Sequence, residues 1–267
     1  MISNRQISNR QIPDRQIPDP PSSNRHDIPA GLRVAVTGGT SGLGLALVEA
    51  LAARGAKVAF VARDAARVAA LARRLDGTHG IAGDVARKDD IYPIALQVSG
   101  ALGGLDVLIN NASTLGPTPL ALLADTPCED FEQALVTNVL GPFRLTRALL
   151  GALASAARDG RPALVINIIS DAAINAYAGW GAYGASKAAL AHMTRIWDEE
   201  MRVHGVRLMA VDPGDMDTPM HALAVPDADR ASLKRPATAA REIVALIEAH
   251  VEGNGRAART HTESAPA

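Results

Sequence analysis

The chain has 267 residues, a length that suits one α/β domain, and 48% of them are apolar, enough to cover both faces of a buried sheet. Its formal net charge of −1 gives no electrostatic pull toward nucleic acid or an anionic membrane, and its lone cysteine, Cys128, excludes an intrachain disulfide and fits a reducing, cytoplasmic setting. No apolar run approaches the ~18 residues of a membrane span, and the start lacks the apolar region of a secretory signal.

Residues 1–27 stand apart. Ile2-Ser3-Asn4-Arg5-Gln6 recurs at Ile7, and related segments begin at Ile12 and Ile17. A five-residue period matches neither helix nor strand, and the prolines remove backbone donors, so a disordered tail is predicted. The arginines suggest a mitochondrial presequence instead, but Asp14, Asp19, Asp27 and the prolines spoil a basic amphipathic helix. From residue 28 to 252 short apolar, β-branched runs alternate with Ala-rich stretches, which predicts a single domain. Strands are predicted over 33–37, 57–61, 80–83, 106–109, 163–169 and 206–211. Helices are predicted over 42–54, 65–75, 88–102, 128–157, 182–204 and 238–251. Strands that alternate with helices and read as continuous apolar runs imply a parallel sheet covered on both faces. The predicted fold is therefore α/β, a Rossmann-type doubly wound parallel sheet in three layers. Residues 253–267, rich in Gly, Arg, Ser and Thr, read as a flexible tail.

The first strand runs directly into Thr37-Gly38-Gly39-Thr40-Ser41-Gly42-Leu43-Gly44, and a helix follows. A turn of this kind brings bare backbone and the helix's unpaired N–H groups against a pyrophosphate. Gly38, Thr40, Ser41, Gly42, Leu43 and Gly44 are thus candidate dinucleotide contacts. The second strand ends at Ala62-Arg63-Asp64. A carboxylate there would accept from both ribose hydroxyls of NAD, whereas an arginine pairs with the 2′-phosphate of NADP. With Ala62 in that place and Arg63 after it, NADP(H) is favoured over NAD(H).

Tyr183 and Lys187 lie four residues apart in a predicted helix, which puts phenol and ammonium on one face. A free tyrosine titrates near ~10, and an adjacent cation would bring it toward neutral range as an acid/base. Thirteen positions earlier Ser170 ends an apolar strand, at the carboxyl edge where open α/β sheets bind ligands.

Together these motifs, with Asp84-Val85, Asn110-Asn111-Ala112, Asn138, Pro213-Gly214 and Thr218 in order and spacing, resemble the short-chain dehydrogenase/reductase superfamily over residues 32–251. The resemblance implies an oxidoreductase that interconverts a small-molecule carbonyl and an alcohol. It implies that Asp84 binds the adenine amino group beside the Val85 backbone, and that Asn111 and Ala112 line the adenosine side. Ser170 would hydrogen-bond the substrate oxygen and Tyr183 would exchange its proton. Lys187 would hold the nicotinamide ribose and lower the Tyr183 pKa, and Asn138 would anchor a water linking Lys187 to solvent. Pro213, Gly214, Met216 and Thr218 would hold the nicotinamide carboxamide, and residues 220–235 would form the substrate lid. A homodimer or homotetramer is also implied.

Departures are visible. Ser113 stands where glycine is usual, and Ile169 where a second serine is common, which leaves Ser170 the sole candidate. Asp215 and Asp217 add charge to the Pro-Gly loop. A seventh strand is expected after the last helix, but residues 252–259 read poorly as one. The seven histidines show no ligand spacing, so no metal is predicted. Tyr177, Trp180 and Met220 flank the expected substrate mouth. A second reading, a nucleotide-binding regulatory or scaffold protein of the same fold, is opposed by the intact set of Asn138, Ser170, Tyr183 and Lys187.

Overall fold

Six parallel strands make the sheet: β1 (Arg33–Thr37), β2 (Lys57–Ala62), β3 (Thr78–Ala82), β4 (Val107–Asn110), β5 (Leu164–Ile168) and β6 (Arg207–Val211). The protein is seen in a computed structural model that describes residues 31–262. The spatial order is β3-β2-β1-β4-β5-β6, so the winding reverses between β1 and β4. That reversal opens a crevice at the carboxyl edge, where Thr37 lies in register with Val61 and Asn110 with Asn167.

Side chains that alternate along each strand feed two separate cores. Val34 and Val36 of β1 pack with Leu47 and Leu51 of α1 (Gly42–Ala52), Val68 of α2 (Ala65–Arg74) and Ile243 of α8 (Pro236–Thr262). Ala35, between them, faces the other way, into a core with Ile94 of α3 (Lys88–Leu102), Leu149 of α5 (Gly141–Arg158) and Met201 of α6 (Gly181–Met201). The three layers follow from this division. Two shorter helices, α4 (Cys128–Leu135) and α7 (Pro219–Ala224), lie near the carboxyl edge.

At the opposite, amino-terminal edge, Asp106 is wholly buried and accepts from both Arg33 and Arg161, each at 2.7 Å. Burial works against its charge, yet the two guanidinium groups hold its carboxyl below the usual range.

Two local features differ from the sequence prediction. The single helix expected over 128–157 is interrupted by a π-helical turn, Val136–Leu140. Pro142 has no N–H to give the carbonyl of Asn138 four residues earlier, and the Gly141 N–H reaches Val136 instead. The last helix, expected to end at 251, continues to Thr262, as the helix-favouring Glu252, Arg256, Ala257 and Ala258 permit. Among the described residues the sheet therefore has six strands, and the place of the seventh is taken by helix. The disorder predicted for 1–27 concerns residues outside those described, as do 263–267 of the flexible tail.

Candidate active site

The glycine turn is stapled to both neighbouring strands. The N–H groups of Gly38 and Gly39 donate to the Val61 carbonyl at 2.8 and 3.1 Å. The Thr37 hydroxyl oxygen accepts from the N–H groups of Asn111 and Ala112, both at 3.0 Å, and the Asn111 amide donates to the Thr37 carbonyl at 2.9 Å. Gly38 adopts φ +70°, a left-handed conformation that favours glycine. A Cβ on Gly44 would collide with the Gly38 carbonyl and the Asn111 amide. Glycine at 44 thus lets α1 begin hard against the turn, with the N–H groups of its first turn facing the crevice.

A cleft of about 900 Å³ runs from this turn along the carboxyl edge. Gly38, Thr40, Ser41, Gly42 and Leu43 line one end, with Arg63 beside them and Asp84 and Val85 beyond. Asn111 and Ala112 line its middle, and Ser170, Tyr183 and Lys187 its far end, with Pro213, Gly214, Met216 and Thr218 on the opposing loop. Of the residues predicted for the site, Gly44 and Asn138 do not line the cleft; each supports a residue that does. The expected mouth residues Tyr177, Trp180 and Met220 do line it.

Arg63 is exposed and makes no ion pair among the described residues, whereas Asp64 is engaged as the cap of α2. Its carboxylate accepts from the Arg67 N–H at 3.0 Å and pairs with the Arg67 guanidinium at 3.3 Å. Arg67, a turn further along, also lines the cleft and was missed from the sequence; its spacing of four from Arg63 was the available signal.

Helix α6 buries both Tyr183 and Lys187, at 8% and 2% exposure, with the Lys187 Nζ 5.5 Å from the phenol ring centre. Nζ donates to the Ile168 carbonyl at 2.8 Å. The two groups shift in opposite directions from their ordinary values. Burial pushes Tyr183 up to about 12; Ser170 opposes that rise by hydrogen bonding, and Asp212, Asp171 and Asp215 add to it. Burial also pulls Lys187 down to about 7. Both shifts have desolvation as their main cause, which penalises the charged form of each group.

Asn138, wholly buried in the π-helical turn, ties the loop after β4 to α6. Its Oδ1 accepts from the Ser113 hydroxyl and the Thr114 N–H at 3.0 and 2.9 Å, and its Nδ2 donates to Thr114 O and Ser186 Oγ, both at 2.8 Å. The unusual Ser113 therefore has a role in packing: its hydroxyl orients Asn138. Below Ser170, the side chains of Asn110, Asn167 and Thr194 form a buried hydrogen-bonded ladder from β4 through β5 to α6. The sequence reading gave Asn167 and Thr194 no part in this.

The loop opposite is clamped by Lys234, another missed residue, whose Nζ donates to the Pro213 carbonyl at 3.1 Å and to Glu242 at 2.7 Å. Asp217, unexplained in the sequence, pairs with Arg230 at 2.8 Å and holds the 220–235 segment to the loop. Thr218 caps α7 by accepting from the His221 N–H at 3.2 Å. Asp212 accepts from the Gly214 N–H at 2.9 Å, a turn role. Among the described residues no three metal-ligating side chains gather, and no helix is long and apolar enough to cross a membrane.

The glycine cradle, the free Arg63 and the long cleft at the β1–β4 reversal fit a dinucleotide, and with the tyrosine at their far end they define the class: a nucleotide-dependent α/β oxidoreductase site. The chain belongs to the short-chain dehydrogenase family, whose pattern it matches over residues 33–229. An uncharacterised short-chain type dehydrogenase/reductase of Sinorhizobium fredii is 34% identical over 197 residues, 73% of this chain; the chain spans 34% of that protein's length. The L-fucose dehydrogenase of Mus musculus is 33% identical, with 72% of this chain and 67% of that protein covered. The 2-(R)-hydroxypropyl-CoM dehydrogenase of Xanthobacter autotrophicus is 34% identical, with 70% and 76% covered. Among solved structures, an NADPH-bound carbonyl reductase from chicken fatty liver superposes with a TM-score of 0.70 at 28% identity, covering 78% of this chain and 88% of that one.

Proposed function

We propose that this chain is an NADP(H)-dependent oxidoreductase that interconverts a ketone or aldehyde and its alcohol, with Tyr183 as the acid/base. The observation that carries this reading is the convergence of Ser170, Tyr183 and Lys187 on the far end of a cleft whose near end is the glycine turn. The bound cofactor supplies the hydride. Ser170 and Tyr183 orient the substrate oxygen, Tyr183 gives or takes its proton, and Lys187 holds the nicotinamide ribose. Asn138, whose carbonyl Pro142 cannot satisfy as an α-helical residue would, anchors the water through which Lys187 exchanges protons with solvent. The substrate partner is a small molecule, and the setting is cytoplasmic. Purified protein with NADPH and a panel of ketones and aldehydes should consume the reduced-cofactor absorbance. Cofactor affinity without turnover across the panel would favour the regulatory reading instead.

The NADP(H) preference rests on Arg63. Asp64 is occupied in capping α2, and Arg63 lines the cleft at the end of β2, which supports pairing with a 2′-phosphate. Arg63→Asp should raise the KM for NADPH by about tenfold or more, equivalent to roughly 1.4 kcal/mol, and improve use of NADH. Unchanged selectivity in steady-state kinetics would remove Arg63 from cofactor recognition.

A further inference from the structure

Several carboxylates of the domain are matched by arginine: Asp106 by Arg33 and Arg161, Asp198 by Arg207, Asp217 by Arg230. Three that line the reaction end of the cleft are not. Asp171, Asp212 and Asp215 form no ion pair among the described residues. The lysine beside them, Lys187, turns its Nζ to the Ile168 carbonyl.

Asp171 follows Ser170 directly and is held in place from two sides. Its Oδ1 accepts from the Ser170 hydroxyl at 3.0 Å and its Oδ2 from the Tyr177 phenol at 2.6 Å. The Tyr177 bond keeps the carboxyl below its usual range, so it is an anion at neutral pH. The Tyr177 and Trp180 rings stand edge to face at 6.4 Å on the same wall, and Trp180 packs in turn on Tyr183 at 5.7 Å. A fixed anion next to Ser170, two aromatic rings on the same wall and two further carboxylates whose charge, like that of Asp171, reaches Tyr183 make a surface complementary to a cation.

We propose that the substrate carries a positively charged ammonium group close to the reacting carbon, and that Asp171, flanked by Tyr177 and Trp180, is the residue that selects it. The proposal rests on the reading of the cleft as a carbonyl–alcohol site and narrows its substrate class to amino ketones and amino alcohols. Asp215 and Asp212 contribute from the opposite rim at longer range.

The test uses three phenyl ketones with NADPH and the full chain: phenacyltrimethylammonium, its neutral isostere 3,3-dimethyl-1-phenylbutan-1-one, and the anionic 3-benzoylpropionate. The expected ratio of kcat/KM, cation over isostere, is about tenfold or more, with the anion poorest, and added salt should reduce it. Because an α-ammonium group also activates a ketone chemically, the variants decide. Asp171→Asn keeps the size and one of the two acceptor oxygens, puts an amide donor in place of the other and removes the charge, and it should bring the ratio down several-fold; Asp215→Asn, at the rim, should lower it less. Calorimetric binding of the same three ketones to the NADP+-loaded chain gives a second readout that needs no turnover. A charge preference in binding, lost in Asp171→Asn and unaccompanied by turnover, would uphold Asp171 as the cation-selecting residue while overturning the carbonyl–alcohol reading and, with it, the assignment to amino ketones. Turnover with a ratio that both variants leave unchanged would overturn the proposal alone. It would equally fall if the variants altered only the KM for NADP+, since the carboxylates would then serve the cationic nicotinamide.

Discussion

Tyr183→Phe is expected to lower kcat for carbonyl reduction by about 10²–10⁴-fold, the usual weight of a positioned general acid. The substitution removes one oxygen from a ring that is already buried and packed on Trp180, so the fold and the cleft should persist. NADPH affinity, measured by fluorescence titration, should stay close to that of the parent, because the glycine turn and Arg63 lie at the other end of the cleft. A loss in kcat without a matching loss of cofactor binding identifies an interaction made in the transition state. Near-normal turnover in the variant would mean that another group handles the proton.

A comparable loss, this time in binding, is expected of Gly44→Val. Any Cβ at 44 would overlap the Gly38 carbonyl, so α1 must withdraw from the turn that faces the pyrophosphate. NADPH binding should weaken by about 100-fold, near 2.7 kcal/mol, and overpacking should destabilise the domain by about 1–3 kcal/mol. Gly100→Ala is the matched control. A Cβ there meets nothing within 4 Å, and it lies within α3, where alanine is the better helix former. Fluorescence titration and thermal unfolding of both variants separate the two effects. If Gly44→Val bound NADPH like the parent, the tight contact between α1 and the turn would have no part in cofactor recognition.

The central strands were legible because their buried faces demanded continuous apolar runs, and β1 matches to the residue, whereas the mostly uncovered edge strand β3, expected at 80–83, runs Thr78–Ala82. The helix over 128–157 was read as unbroken because periodicity registers apolar spacing, while the break stems from one missing N–H, at Pro142. The last helix was ended too early because Gly253 and Gly255 suggested a stop, whereas the surrounding residues sustain the turn. In the site, motifs that need particular backbone shapes or chemical groups stood out. Residues that act through distant partners did not: Lys234 reaches the Pro213 carbonyl across 21 positions, and Asn167 meets Thr194 across 27. No local spacing encodes such pairings. The burial of Tyr183 and Lys187 was not legible either, since i, i+4 spacing reveals a shared helix face but not how far water is excluded from it.

The Asp106 cluster has a consequence for how the molecule can change. Buried Asp106 and its partly exposed arginines sit on the far rim of the sheet, a whole strand length, on the order of 13 Å, from the phenol's side of the layer. Groups that far apart with no shared partners tend to contribute independently. Thermal resilience can therefore be tuned at Arg33, Asp106 and Arg161 without disturbing turnover, and the reactive rim can be remodelled for new substrates without loosening the scaffold.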